Sequence, residues 1–204
     1  MSGIVVTGIG TDIGKTVVSA VVCEALQADY WKPVQSGGLD NLDADFVKMH
    51  TTKTRIIEPV KHLSQPLSPH EAARIDGVEL QLSDFQLPEF VKTTVIEGAG
   101  GLMVPVNDHG LTFLDVFAHW ELPVYLVTRH YLGSINHTLL SMEALRSRGI
   151  EIRGIIVNGT RSEHSERVYQ HHYPELPLTF IPELEDMSPV SIAKAAETWK
   201  QQLG

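Results

Sequence analysis

The sequence predicts an α/β fold, an open and mainly parallel sheet with helices on both faces, carried by one domain over residues 1–204. Three observations predict it. Short apolar runs alternate with longer amphipathic segments, the mark of successive βα units. A glycine-rich turn joins the first apolar run to the first helix. No internal repeat, low-complexity tract or linker interrupts the chain, and 204 residues suffice for one sizeable core.

Taken in order, the expected strands are Ile4–Thr7, Tyr30–Val34, Thr93–Glu97, Pro123–Thr128, Arg153–Asn158 and Thr179–Pro182. Each is a compact apolar run suited to burial on both faces of a parallel sheet. The expected helices are Lys15–Leu26, Asp45–His50, Phe113–Trp120, Ile135–Arg148, Glu163–His172 and Val190–Leu203. Pro66–Ala73 reads as a proline-stiffened loop entering a helix, with Ser68 at the cap position.

Composition bounds the function. Hydrophobic residues make up 43% and charged residues 20%, ordinary for a soluble globular chain. A net charge of −9 argues against nucleic acid or an anionic membrane as main partner, because the averaged field repels polyanions. Any anionic substrate then needs a local cationic cluster. No leader or membrane span is read near Ile4–Val6, and the single Cys23 lies in an apolar helix, so a reducing cytoplasm is the expected setting.

The strongest signal is Thr7-Gly8-Ile9-Gly10-Thr11-Asp12-Ile13-Gly14-Lys15-Thr16. Strand, glycine-rich loop and Lys-Thr opening a helix form the context of a phosphate-binding loop, giving a P-loop NTPase-like fold. Glycines allow successive N–H groups to turn toward a phosphate chain, and the helix N-terminus adds partial positive charge. Lys15 supplies a cation for the β- and γ-phosphates and the Thr16 hydroxyl suits a magnesium shell. The loop carries one residue more than the usual pattern between its first glycine and Gly14-Lys15-Thr16.

Ligands in such sheets sit at the carboxyl ends of the strands. After the second strand come Lys32-Pro33-Val34-Gln35-Ser36-Gly37 and the acids Asp40, Asp43 and Asp45. A metal aspartate is expected at the next helix start. Asp45 is favoured because apolar Phe46 and Met49 follow it, with Asp43 as the alternative. Glu97, ending a buried strand before Gly98-Ala99-Gly100-Gly101, is a second metal carboxylate. Gly133 and Ser134 open a helix whose N–H groups offer another anion site. Asn158-Gly159 suits a purine edge, and Pro182-Glu183 closes the same pocket. His164, His171 and His172 read as solvated.

Together, the loop, Lys32-Pro-Val-Gln-Ser-Gly, Ser68-Pro-His, Glu97-Gly-Ala-Gly-Gly-Leu and Leu132-Gly-Ser-Ile-Asn-His-Thr-Leu-Leu resemble the dethiobiotin synthetases. The likeness runs in order to about Asn158 and includes the longer loop. It implies a homodimeric cyclo-ligase of biotin synthesis that uses ATP, Mg2+, CO2 or bicarbonate, and 7,8-diaminopelargonic acid. One amine is carbamated, the carbamate oxygen attacks the γ-phosphorus, and the neighbouring amine closes a cyclic urea with loss of phosphate.

By the same resemblance Lys15, Lys32 and Thr11 serve catalysis. Asp12, Ile13, Gly14, Lys15, Thr16, Val17, Glu97, Gly98, Gly100, Asn158, Pro182 and Glu183 hold nucleotide, and Thr16, Asp45 and Glu97 hold magnesium. Thr11, Lys32, Ser36, Gly133, Ser134, Ile135 and Asn136 contact the diamine, the last four from the partner subunit. Arg129-His130-Tyr131 replaces the lysine common there. Two rivals share the loop. A partitioning-type switch ATPase normally adds a lysine early in it, where Ile9 and Gly10 stand here. A corrinoid amidation domain is usually fused to a glutaminase with a catalytic cysteine, which Cys23 does not match.

Overall fold

The computed structural model describes residues 2–203. Seven strands form one all-parallel sheet: β1 (Gly3–Gly8), β2 (Asp29–Trp31), β4 (Ile56–Ile57), β6 (Thr94–Gly101), β7 (Val124–Thr128), β8 (Ile152–Asn158) and β9 (Leu178–Ile181). Their spatial order is β4-β2-β6-β1-β7-β8-β9. A separate parallel pair joins β3 (Val34–Ser36) to β5 (Lys61–Leu63). The helices are α1 (Lys15–Leu26), α2 (Asp43–His50), α3 (Pro69–Ile75), α4 (Phe113–Trp120), α5 (Ser134–Ser147), α6 (Glu163–His172) and α7 (Pro189–Gln201).

Alternation along the strands divides the core in two. Val5, Ile96, Leu126 and Ile155 face one side and pack with Phe113, Phe117, Met142, Leu145 and Tyr169 of α4, α5 and α6. Ile4, Val6, Val95, Val127 and Ile156 face the other and pack with α1, α2 and α7 through Val18, Val21, Val22, Val47, Ile192 and Trp199. Each strand is apolar on both faces because each face is covered.

The chain leaves β1 toward β2 and β4, returns through β6, and proceeds from β7 to β9 on the other side. The direction of winding therefore reverses beside β1, and a crevice opens there at the strand carboxyl ends. That crevice receives the phosphate loop after β1, Lys32 after β2 and Glu97 on β6.

Three elements depart from expectation. The Tyr30–Val34 strand is broken at Pro33, which has no N–H for a ladder. Its carbonyl instead accepts from Val60 N at 2.8 Å, and the chain begins the small second sheet. Strand β6 runs past Glu97 because Gly101 still pairs with Gly8 beyond a bulge. Helix α2 begins at Asp43, and its buried residue is Val47 rather than Phe46 or Met49.

Candidate active site

A cavity of about 620 Å3 lies at the crevice, lined by Thr11, Asp12, Gly14, Lys15 and Thr16 of the phosphate loop. Lys32, Gln35, Ser36, Asp43, Glu97, Ala99, Gly100, Val104 and the 66–69 segment complete its wall. The loop is held open by a left-handed Gly14 (φ 83°) at the start of α1, where a Cβ would come 2.1 Å from Asn158 Nδ2. Asn158 Nδ2 donates to Ile13 O at 2.8 Å, tying the end of β8 to the loop. Lys15, buried, donates to Gly10 O at 2.7 Å, so its ammonium already lies within the loop.

Polar groups from four elements meet at the floor. Thr16 Oγ1 stands 3.0 Å from both Asp43 Oδ1 and Glu97 Oε1. Lys32 Nζ lies 2.5 Å from Asp43 Oδ2 and 2.8 Å from Glu97 Oε1. Tyr30, fully buried, donates from its hydroxyl to Glu97 Oε2 at 2.8 Å. Tyr30 and Lys32 are two residues apart and so project toward one face, which is how both reach Glu97.

The electrostatics follow from this packing. Burial pulls the Lys15 ammonium down to about 8, with repulsion from Lys32 adding to the effect and Glu97 and Asp43 opposing it. Burial also acts against a charged Lys32, but Glu97 and Asp43 outweigh it and hold that ammonium above its ordinary value. Burial and the Glu97 carboxylate push the Tyr30 phenol well upward, so it stays a donor. Thr16 Oγ1, Asp43 and Glu97 form a hard, all-oxygen donor set of the kind magnesium takes, and their convergence within hydrogen-bond distance fits such an ion.

Of the residues expected from sequence, Thr11, Asp12, Gly14, Lys15, Thr16, Lys32, Ser36, Glu97 and Gly100 share this cavity. Asp45 does not: it is exposed, and Asp43 takes the place beside Thr16 and Glu97. The reason is helix phase, since Asp43 lies four residues before buried Val47 and on its face, whereas Asp45 lies two before and points away. Ile13 is buried in the core, and Val17 lines a neighbouring groove with Phe46 and Met49. Gly98 lies under Phe117, where a Cβ would come within 2.8 Å of the ring. Pro182 borders a surface groove beside β9, and Arg129 Nη2 donates to both carboxylate oxygens of Glu183 at 3.0 and 3.1 Å.

Gly133, Ser134, Ile135 and Asn136 are at the start of α5, outside the cavity wall. Ser134 is buried and its Oγ accepts from Tyr131 N at 3.3 Å. Sequence reasoning missed Tyr30 and Gln35, although the two-residue spacing to Lys32 was a usable signal for Tyr30.

Comparison with known proteins bears on this arrangement. A family model described as an AAA domain matches residues 2–191. The ATP-dependent dethiobiotin synthetase BioD of Christiangramia forsetii is 53% identical over 163 residues, 79% of this chain and 78% of that protein. The protein of the same name from Brucella ovis is 46% identical over 190 residues, 92% of this chain and 89% of its own length. Among solved structures, the cell division ATPase MinD of Pyrococcus furiosus superposes with a TM-score of 0.61 at 16% identity, covering 100% of this chain and 98% of its own. A ParA family ATPase from Chlorobium tepidum gives a TM-score of 0.57 at 14% identity, with 100% and 98% covered, so both share the fold. With a phosphate loop facing buried Lys32 and Glu97 and half-buried Asp43, and with such identity to these synthetases over most of its length, the chain belongs to the ATP-dependent dethiobiotin synthetase family.

Proposed function

We propose that this chain, as one ligase domain over residues 1–204, makes dethiobiotin from 7,8-diaminopelargonic acid, CO2 and ATP, releasing ADP and phosphate. The observation that carries the reading is the second lysine. Lys32 comes from the segment after β2 rather than from the loop, is paired with Asp43 and Glu97, and stands close enough to Lys15 to repel it, so the cavity holds a cation beyond the one the phosphate loop supplies.

The triphosphate lies along the loop N–H groups with Lys15 at its β- and γ-phosphates. Thr16, Asp43 and Glu97 would hold a magnesium ion, which when bound draws charge from the phosphate oxygens. Lys32 holds the carbamate against the γ-phosphate, and Thr11 lines the path between them. Ser36 Oγ is buried and has no partner among the described residues, so a polar group of the diamine would satisfy it. Positioning and charge neutralisation supply the rate, and the protein needs no nucleophile of its own.

The active species is proposed to be a homodimer. Thr11 also borders a second cavity of about 440 Å3, walled by Ile9, Met103, His137, Leu140 and Ala144. Leu132, Met103 and Leu140 are exposed at 103%, 65% and 61%. Such apolar exposure beside an active site suits a subunit interface. Across it the partner's helix start at 133–136 would meet the carboxylate of the substrate tail. Asn158, Pro182 and Glu183 are proposed to border the base. The cytoplasm is the proposed setting, and among the described residues no helix is long and apolar enough to cross a membrane.

The test is product formation from ATP, magnesium, bicarbonate and the diamine, followed by mass spectrometry, with Lys15→Ala as the blank. Diamine-dependent ADP release with a cyclic urea product is the expected outcome. ADP release indifferent to the diamine would instead favour a switch ATPase, the activity class suggested by the fold alone.

A further inference from the structure

Closing the ring requires an amine nitrogen with a free lone pair, and a diamine at neutral pH carries ammonium groups. Lys15 and Lys32 carry positive charge at neutral pH, the two floor carboxylates are engaged with Thr16, Tyr30 and Lys32, and Asp12 belongs to the phosphate loop across the cavity from the 66–69 segment. The 66–69 segment of the cavity wall offers another group. Ser68 lines the cavity, and its Oγ lies 2.9 Å from His70 Nδ1.

The bond is unusual for its place. Ser68 is the residue before α3, where a serine hydroxyl ordinarily accepts from the second or third N–H of the helix. It makes no such bond. The His70 N–H goes instead to Pro105 O at 3.3 Å, and the hydroxyl is turned to the imidazole. The segment is also fixed from behind: Pro66 packs against left-handed Gly37, and Ser64 N donates to Asp76 Oδ2 at 2.8 Å.

We propose that Ser68 contacts the ring-closing amine and passes its proton to His70, with His70 a positioning residue acting through the hydroxyl. This rests on the ligase reading above. One N–H bond of the ammonium breaks, its electron pair stays on nitrogen, and the proton moves to Ser68 Oγ. The Ser68 hydroxyl proton moves at the same time to Nδ1 of a neutral imidazole, which becomes imidazolium. The freed lone pair attacks the carbonyl carbon of the carbamic-phosphoric anhydride, and the bond from that carbon to the phosphate oxygen breaks with its pair on phosphate. The nitrogen's remaining surplus proton goes to the departing phosphate, and the imidazolium returns its own to solvent.

On α3 itself Glu71 is held by Arg74 at 2.6 and 3.0 Å, the strand β5 packed against that helix carries Lys61 and His62, and the segment after Pro105 carries Asp108 and His109, which share a cleft with Arg74. Across the cavity stand Lys15, Lys32, Asp12, Asp43 and Glu97.

The experiment measures ADP and dethiobiotin separately, from pH 6 to pH 9, for the native protein, Ser68→Ala, Ser68→Thr and His70→Asn. Both Ser68→Ala and His70→Asn are expected to cyclise on the order of 10²-fold more slowly at neutral pH. They should still form ADP, which reports a folded site, and should exceed one ADP per dethiobiotin because the stranded anhydride hydrolyses. The deficit should shrink as rising pH frees the amine, and Ser68→Thr should restore coupling. Variants that keep one-to-one coupling, or lose rate equally at every pH, would overturn the relay alone. A native protein that releases ADP without a cyclic urea would overturn the ligase reading and the relay together.

Discussion

At the scale of single residues the site is a balance of charges around Glu97. The buried carboxylate is tolerated because Tyr30, Thr16 and Lys32 surround it, and each substitution there has a distinct consequence. Asp43→Asn should lower magnesium-dependent turnover by ~10²-fold or more, while Asp45→Asn stays near native; steady-state kinetics against magnesium concentration separates the two. Tyr30→Phe removes one buried hydrogen bond worth about 1 kcal/mol, and the magnesium requirement should rise roughly fivefold. Lys15 gives a signed pH effect. Its folded value of about 8 lies below the ordinary 10.5, so between these the unfolded chain holds a proton the folded one lacks, and ligand-free stability rises with pH. Bound phosphates favour the ammonium, so nucleotide binding near pH 8.5 without metal should take up a proton. Calorimetry in two buffers of different ionisation heat measures it, and heats independent of buffer would contradict it.

At the scale of elements, the turn after β3 decides whether the 66–69 wall is in place. Gly37 has φ 64° and a Cβ there would lie 2.5 Å from Pro66 N and Cα. Gly37→Ala should therefore cost about 1–3 kcal/mol, lowering Tm by several degrees, and should raise the KM for the diamine. A variant with unchanged Tm and KM would show that the turn does not position the wall. The elements were legible from sequence where one physical rule dominated. The strand–loop–helix around Lys15 and the strand bearing Glu97 needed only apolar runs and glycine chemistry. The aspartate beside Thr16 and Glu97 was misplaced because Asp43 and Asp45 share the first turn of a short helix, and its phase depends on which apolar residue the core covers. Val47 is buried while Met49 is 67% exposed, a choice made by packing against α1, α7 and β2. The β3–β5 pair was illegible for a related reason, since two three-residue strands carry no periodicity of their own.

At the scale of the whole molecule, winding direction reverses beside β1 and gathers residues 15, 32, 43 and 97 into one crevice, with 36 and 68 on its wall. Sequence order predicted this for 15, 32, 36 and 97, because ligands collect at strand carboxyl ends, but favoured 45 over 43. The helix start at 133–136 does not join the crevice within one chain, and the dimer proposed above supplies it from the partner. Leu132→Asp is then expected to give monomers by analytical ultracentrifugation and a raised KM for the diamine. A dimer that persists with unchanged KM would move the interface elsewhere.

The central claim is that the two lysines serve transfer of the γ-phosphoryl group to a carbamate rather than to water. It is tested most directly by running the reaction in ordinary water with 18O-labelled CO2, before exchange with solvent, and examining phosphate by 31P NMR. One labelled oxygen in the released phosphate, with the other in the ureido carbonyl, is the expected result. Phosphate carrying only solvent oxygen at the new position would mean hydrolysis of ATP and would contradict the ligase assignment.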